Sequence, residues 1–168
     1  MADVRRQLPY LAPLLAWMGV IALLSTDLGS RENTMQGVFW LLRQMLPDLE
    51  KGRMEAGLEG PIQVVRKMAH LLEYAVLAFL ACRWLRFSFG RPRQVWQRQA
   101  VALSGAYAVL DEAHQAFVRT RSAYAGDIGV DLLGALVGVI LFARHIHAVQ
   151  RAAMTQEKIS PSVMRGQG

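Results

Sequence analysis

Leu110-Asp111-Glu112-Ala113-His114-Gln115-Ala116-Phe117 closes one long apolar run, and Asp127-Ile128-Gly129-Val130-Asp131-Leu132-Leu133-Gly134 opens the next. Between them lie Val118-Arg119-Thr120-Arg121 and a short turn with Tyr124 and Gly126. Two acids, a histidine and an amide thus end one hydrophobic segment, and two more acids begin its successor. Apolar runs of this length are the signature of a bilayer, where ionisable side chains are costly and usually have a role. The plainer reading is that these groups only pair with one another and glue helices together. The rest of the chain decides whether these runs are spans or a soluble core.

The chain has 168 residues, 53% of them hydrophobic, and a net charge of +6. The length suits one domain, and the apolar fraction exceeds the globular norm of roughly 45–50%. The 19 lysines and arginines gather at the ends of apolar runs. They do not form one amphipathic face with interleaved aromatics, which argues against a nucleic-acid partner. A single cysteine, Cys82, rules out an internal disulfide framework, and its apolar neighbours mark it as a small buried hydrophobe.

In order, the chain reads as an all-α, polytopic membrane bundle of four transmembrane helices, at about 8–25, 62–85, 99–118 and 127–147. The first span follows Arg5 and Arg6, carries Pro9 and Pro13 in its early turns, and ends at Ser25-Thr26. It is too long for a typical signal-peptide core and has no evident cleavage site, so it reads as an uncleaved anchor. The segment 27–61 falls outside the membrane in this scheme. Within it Val38 to Met45 suits a short interfacial helix, and Lys51 through Pro61 reads as a charged, glycine-bearing loop. Gly90 and Pro92 turn the chain between the second and third spans. The polar tail 151–168, with Pro161, reads as disordered.

Orientation follows from the bases. Short cytoplasmic loops carry an excess of Lys and Arg. The N-terminal arginines, the stretch Arg83 to Arg98 with five arginines and no acid, and the tail with Arg144 and Arg151 all obey that rule if both termini are cytoplasmic. Arg119 and Arg121 then lie on the outer side, against the bias, which suggests a use for them. Lys67 and His70 begin the second span from outside, and Asp127 and Asp131 begin the fourth. Asp111 lies only about 10 Å below the outer end of its helix, at 1.5 Å per residue. The polar groups therefore share one depth near the outer face, expected to be that of a bacterial cytoplasmic membrane.

On a helix Lys67, His70 and Tyr74 share a face, with Glu73 beside them. Asp111 and Gln115, four apart, share another. Asp127, Asp131, Gly134 and Gly138 form a stripe whose glycines permit close helix approach. Lysine and arginine at this depth suit a phosphate or carboxylate, with arginine able to grip it through two parallel bonds. The acids would orient them. His70 with Asp111 or Glu112 could instead act as a general base and its orienter, on water or a lipid hydroxyl. No His-Glu-x-x-His spacing or similar ligand motif is present, and no metal or other cofactor is expected.

The pattern resembles the VanZ-like family of small bacterial membrane proteins. Lys67-x-x-His70-x-x-x-Tyr74, Asp111-Glu112-x-x-Gln115-x-Phe117, Arg121, Asp127, Gly134 and Gly138 carry the resemblance. It covers roughly residues 62–142 and rests on order and spacing together. Two departures stand out: Asp131 where the family usually has asparagine, and Arg119-Thr120 where it usually has Pro-Gly before the arginine. The family's founding member is associated with teicoplanin resistance. The resemblance implies a place in the cell envelope at the outer face of the membrane, without fixing an activity or implying antibiotic resistance for every relative.

Three functions remain open on the sequence alone. One is binding of an anionic lipid or lipid-linked envelope intermediate through Lys67, His70, Tyr74, Asp111, Glu112, Gln115, Arg121, Asp127 and Asp131. A second is a membrane-embedded hydrolase or transferase on the same lipid class, with His70, Asp111 and Glu112 as catalytic candidates. The third is a structural or assembly partner with an inert polar network. The expected partners are membrane lipids.

Overall fold

A computed structural model describes residues 4–26, 35–38, 40, 44, 51–118 and 124–165. Among these residues every regular element is helical. Four long helices follow one another: α1 (Val4–Leu24), α2 (Lys51–Phe89), α3 (Arg93–Phe117) and α4 (Ala125–Arg165). Three stretches are long and apolar enough to cross a membrane: Arg5–Leu24, Gly60–Phe89 and Gly126–Gln156. The 25-residue α3 is long enough, at about 37 Å, but less apolar. Its buried residues explain why. Trp96, Ala100, Ser104, Ala108, Asp111 and Gln115 form one stripe, so polar side chains lie on its inward face.

Helix directions alternate. Tyr10 stacks on Phe87 at 5.4 Å between ring centroids, and Trp17 Nε1 donates to the Glu73 carbonyl at 2.9 Å, so α1 and α2 are antiparallel. Gly90, with φ +57°, turns α2 into α3, in the left-handed conformation that favours glycine after a helix. Its N–H donates to the Arg86 carbonyl at 3.0 Å. Trp96 meets Phe142 edge-on at 5.3 Å, and Gly105 faces Leu132, which sets α3 antiparallel to α4.

The α2–α4 pair is parallel and is the tightest contact. A Cβ on Gly134 would stand 2.3 Å from the Leu71 carbonyl oxygen, and one on Gly138 would stand 2.0 Å from that of Ala75. Only glycine lets these two backbones touch. Further along, Phe79 packs edge-on against Phe142 at 5.2 Å. The core continues through Leu14, Ile21, Leu77, Ala78 and Cys82, and Cys82 is fully buried as expected of a small core residue. Outward faces are apolar as well, with Leu15, Leu23, Val64, Val65, Leu133 and Ile140 exposed, as lipid contact demands.

Several boundaries differ from the sequence reading. Residues 51–61 are helical rather than loop, with Pro61 inside α2. Met54, Glu55, Ala56 and Leu58 are good helix formers, and an apolar helix continuing beyond them supplies the nucleus. The chain is likewise helical through Arg165, where a disordered tail is expected from 151. α1 begins at Val4 rather than 8, which places Pro9 and Pro13 inside it, in its second and third turns. Of the short helix at 38–45, residues 38, 40 and 44 are helical and the others lie outside the described residues.

Candidate functional site

The glycine contact between α2 and α4 fixes what stands beside His70. Asp131 lies one turn before Gly134 on the stripe facing α2, and only 2% of it is exposed. Its Oδ1 lies 3.2 Å from His70 Nδ1. With the proton on Nδ1 the imidazole donates to the carboxylate. The sequence offers Asp111 or Glu112 as the partner of His70; the structure gives that place to Asp131, because parallel packing aligns 70 with 131.

α3 brings a second pair from the opposite direction. Gln115 Nε2 donates to Asp111 Oδ2 at 2.9 Å, and both residues are buried. One turn before Asp111 is Tyr107, whose hydroxyl donates to the Met18 carbonyl at 2.6 Å and ties α3 to α1. The Tyr107 ring lies 6.4 Å from that of Tyr74, which α2 buries fully. Among the described residues the Tyr74 hydroxyl has no hydrogen-bond partner, and it feels the charges of Asp111 and Asp131. Ser104, deeper on the α3 stripe, is also buried, and its hydroxyl has no partner among the described residues.

Around this interior runs a half-exposed rim. The backbone N–H of Tyr124 donates to Glu112 Oε1, which pins the entry of α4 to the end of α3. Glu112 is near enough to Asp127, Asp111 and Asp131 to feel their charges. Lys67 is exposed, with Nζ 5.9 Å from the centre of the Tyr124 ring. At the end of α1, Ser25 is buried and Thr26 Oγ1 donates to the Leu23 carbonyl at 2.6 Å.

Of the residues singled out in the sequence, His70, Tyr74, Asp111, Gln115 and Asp131 come together in the interior, with Glu112, Asp127 and Lys67 at the rim. His114 faces outward and does not join them. Arg119 and Arg121 lie outside the described residues. Tyr107 escaped the sequence reading; its place four residues before Asp111, on the same stripe, is the signal that finds it. Among the described residues no three His, Cys, Asp or Glu side chains converge on a point that could hold a metal ion. The arrangement can hold a proton between His70 and Asp131, and it presents a concentration of carboxylates to any cation entering from the rim.

No curated protein and no solved structure matches the chain. A family model described as VanZ/LLP1 matches residues 10–147. That stretch contains every cluster residue above and most of all four helices. With three helices apolar enough to span a bilayer, this is a multi-pass membrane protein that belongs to the VanZ/LLP1 family.

Proposed function

We propose that the protein spans the bacterial cytoplasmic membrane four times, with both termini inside. In this reading the polar cluster opens to the outer leaflet and binds an anionic lipid or lipid-linked envelope intermediate. The carrying observation is that the two ends of the bundle differ. His70, Asp111, Glu112, Asp127 and Asp131 lie at one end, whereas Arg83, Arg86, Arg91, Arg93 and Arg144 lie toward the other. Cytoplasmic ends collect arginine. Membership of α3 in the spanning set draws support from its outward face, where Ala102, Ala106, Val109, Leu110 and Phe117 are exposed and apolar. A helix polar inside and apolar outside is at home in lipid.

Four carboxylates lie at this end with the imidazole of His70, and Lys67 and half-buried Arg66 are cations described beside them on α2. Arg119 and Arg121 belong to the short connection between Val118 and Tyr124, and Arg121 is three residues from either. Chain length alone keeps it within about 11 Å of both, at some 3.6 Å per residue. In this reading Lys67 and Arg121, with Arg119, hold the head group, and the acids orient the arginines. Doubly replacing Lys67→Ala and Arg121→Ala should lower affinity for phosphatidylglycerol in nanodiscs at least tenfold, since each charge-assisted bond contributes about 1.5–3 kcal/mol. Unchanged affinity for every anionic lipid would contradict the proposal.

A second reading rests on the His70–Asp131 contact at 3.2 Å. A base held by a buried carboxylate is what a hydrolase or transferase acting on a lipid-linked substrate requires. Product release from such a substrate, abolished by His70→Gln with lipid affinity intact, would favour it over binding alone.

A further inference from the structure

At the arginine-rich end a cavity of about 210 Å³ lies between α2, α3 and α4. Arg86, Arg93, Trp96, His147 and Gln150 line it, over an apolar wall of Ala143 and Ile146. A neighbouring cleft of about 300 Å³ shares His147 and adds Arg144 and Arg151. Among the described residues no acid lines either space. The sequence has no Asp or Glu from 74 to 110 or from 132 to 156, so the segments of α2, α3 and α4 that line these spaces carry no acid of their own.

One buried donor of the lining also lacks an acceptor among the described residues. Trp96 is only 1% exposed, and its Nε1, a donor with no acceptor capacity, has no hydrogen-bond partner among the described residues. α3 begins here with Pro92 as its N-cap, no capping side chain and no acid in its first turn. The positive end of its dipole is therefore uncompensated. Arg93 Nη1 reaches His147 Nε2, and both residues line the cavity. Two guanidiniums, an indole N–H and a helix N-terminus around one space form a receptor for a compact anion.

We propose that this cavity binds a phosphate group, with Arg86 and Arg93 holding the anion and Trp96 Nε1 donating the bond that fixes its depth. The phosphate belongs either to a soluble phosphate or to the head group of an anionic phospholipid. The site is separate from the carboxylate cluster and does not depend on what that cluster binds. The competing explanation is that these arginines only obey the charge asymmetry of membrane proteins. In that case position within the cavity should be irrelevant.

The test uses the full chain carrying Lys67→Ala, Arg119→Ala and Arg121→Ala, which removes the cations proposed to bind lipid at the other end. Inorganic phosphate is titrated by calorimetry in neutral detergent. Separately, retention of phosphatidylglycerol over phosphatidylcholine is counted by native mass spectrometry. Arg86→Gln with Arg93→Gln should weaken binding at least tenfold. Trp96→Phe, which keeps a ring against Phe142, should weaken it three- to tenfold. Arg91→Gln with Arg98→Gln removes the same charge from the same end outside the cavity and should change it less than twofold. Phosphate binding with this pattern identifies a soluble anion, and phosphatidylglycerol retention alone with this pattern identifies a head group. The proposal is overturned if neither probe binds, if the Arg91 and Arg98 pair weakens binding as much as the cavity pair, or if Trp96→Phe binds like its parent.

Discussion

Replacing Gly138 with leucine should destabilise the fold by about 3 kcal/mol or more, the upper end of what overpacking a tight contact costs. Even the first added carbon would stand 2.0 Å from the Ala75 carbonyl oxygen. The obstacle is backbone, so no side-chain rotation relieves it; α2 and α4 must separate. Dispersion between helices falls steeply with separation, and a gap of 0.5–1 Å already forfeits about a quarter to a half of each contact. Separation would also pull Asp131 from His70, two turns toward the other end of α4. Gly129→Leu is the matched control, since nothing lies within 4 Å of a Cβ there. On the same helix it should cost less than about 0.5 kcal/mol, and its gain in helix propensity works in the opposite direction. Unfolding by sodium dodecyl sulfate titration, followed by circular dichroism, compares the two. Equal stability would mean that the glycine stripe does not set the α2–α4 distance.

Removing His70 should be nearly as damaging, and the damage should be reversible at a second position. Asp131 is buried, and the imidazole nitrogen is its near partner. Removing the partner of a buried carboxyl group leaves it unsatisfied, at a cost of about 1–3 kcal/mol and more where the group is charged. His70→Ala should therefore lower stability by about 3 kcal/mol. Asp131→Asn removes the charge while keeping the shape, and alone should cost about 1 kcal/mol. The expected signature is in the sign: His70→Ala with Asp131→Asn should be more stable than His70→Ala alone. Strict additivity of the two losses in the same titration would show that the pair is not coupled.

Much of this architecture was legible in the residues. The stripe Asp127, Asp131, Gly134 and Gly138 was readable because helix periodicity and small-residue packing are local signals, and the stripe does face α2. The Asp111–Gln115 pair was readable for the same reason. The partner of His70 was not, because it depends on whether α2 and α4 run parallel in a register of about 61 residues, a tertiary property. The helical state of residues 51–61 was obscured by three glycines and a proline that punctuate most chains. Hydropathy alone also misses what α3 does: its polar residues lower its average while facing inward, so burial must be known before the number can be interpreted. Arg119 and Arg121 stand on sequence alone, since they fall outside the described residues.

The two-ended architecture is tested most directly by labelling single cysteines from one side of the membrane. Cys82 is buried and can be replaced with alanine to clear the background. In cells whose cytoplasmic membrane is intact and accessible, Tyr124→Cys at the carboxylate end should react with an impermeant maleimide. Arg91→Cys at the arginine-rich end should react only after permeabilisation; both positions are exposed on the protein. Labelling at Arg91→Cys in intact cells, with protection at Tyr124→Cys, would place the carboxylate cluster inside and contradict an outward-facing site.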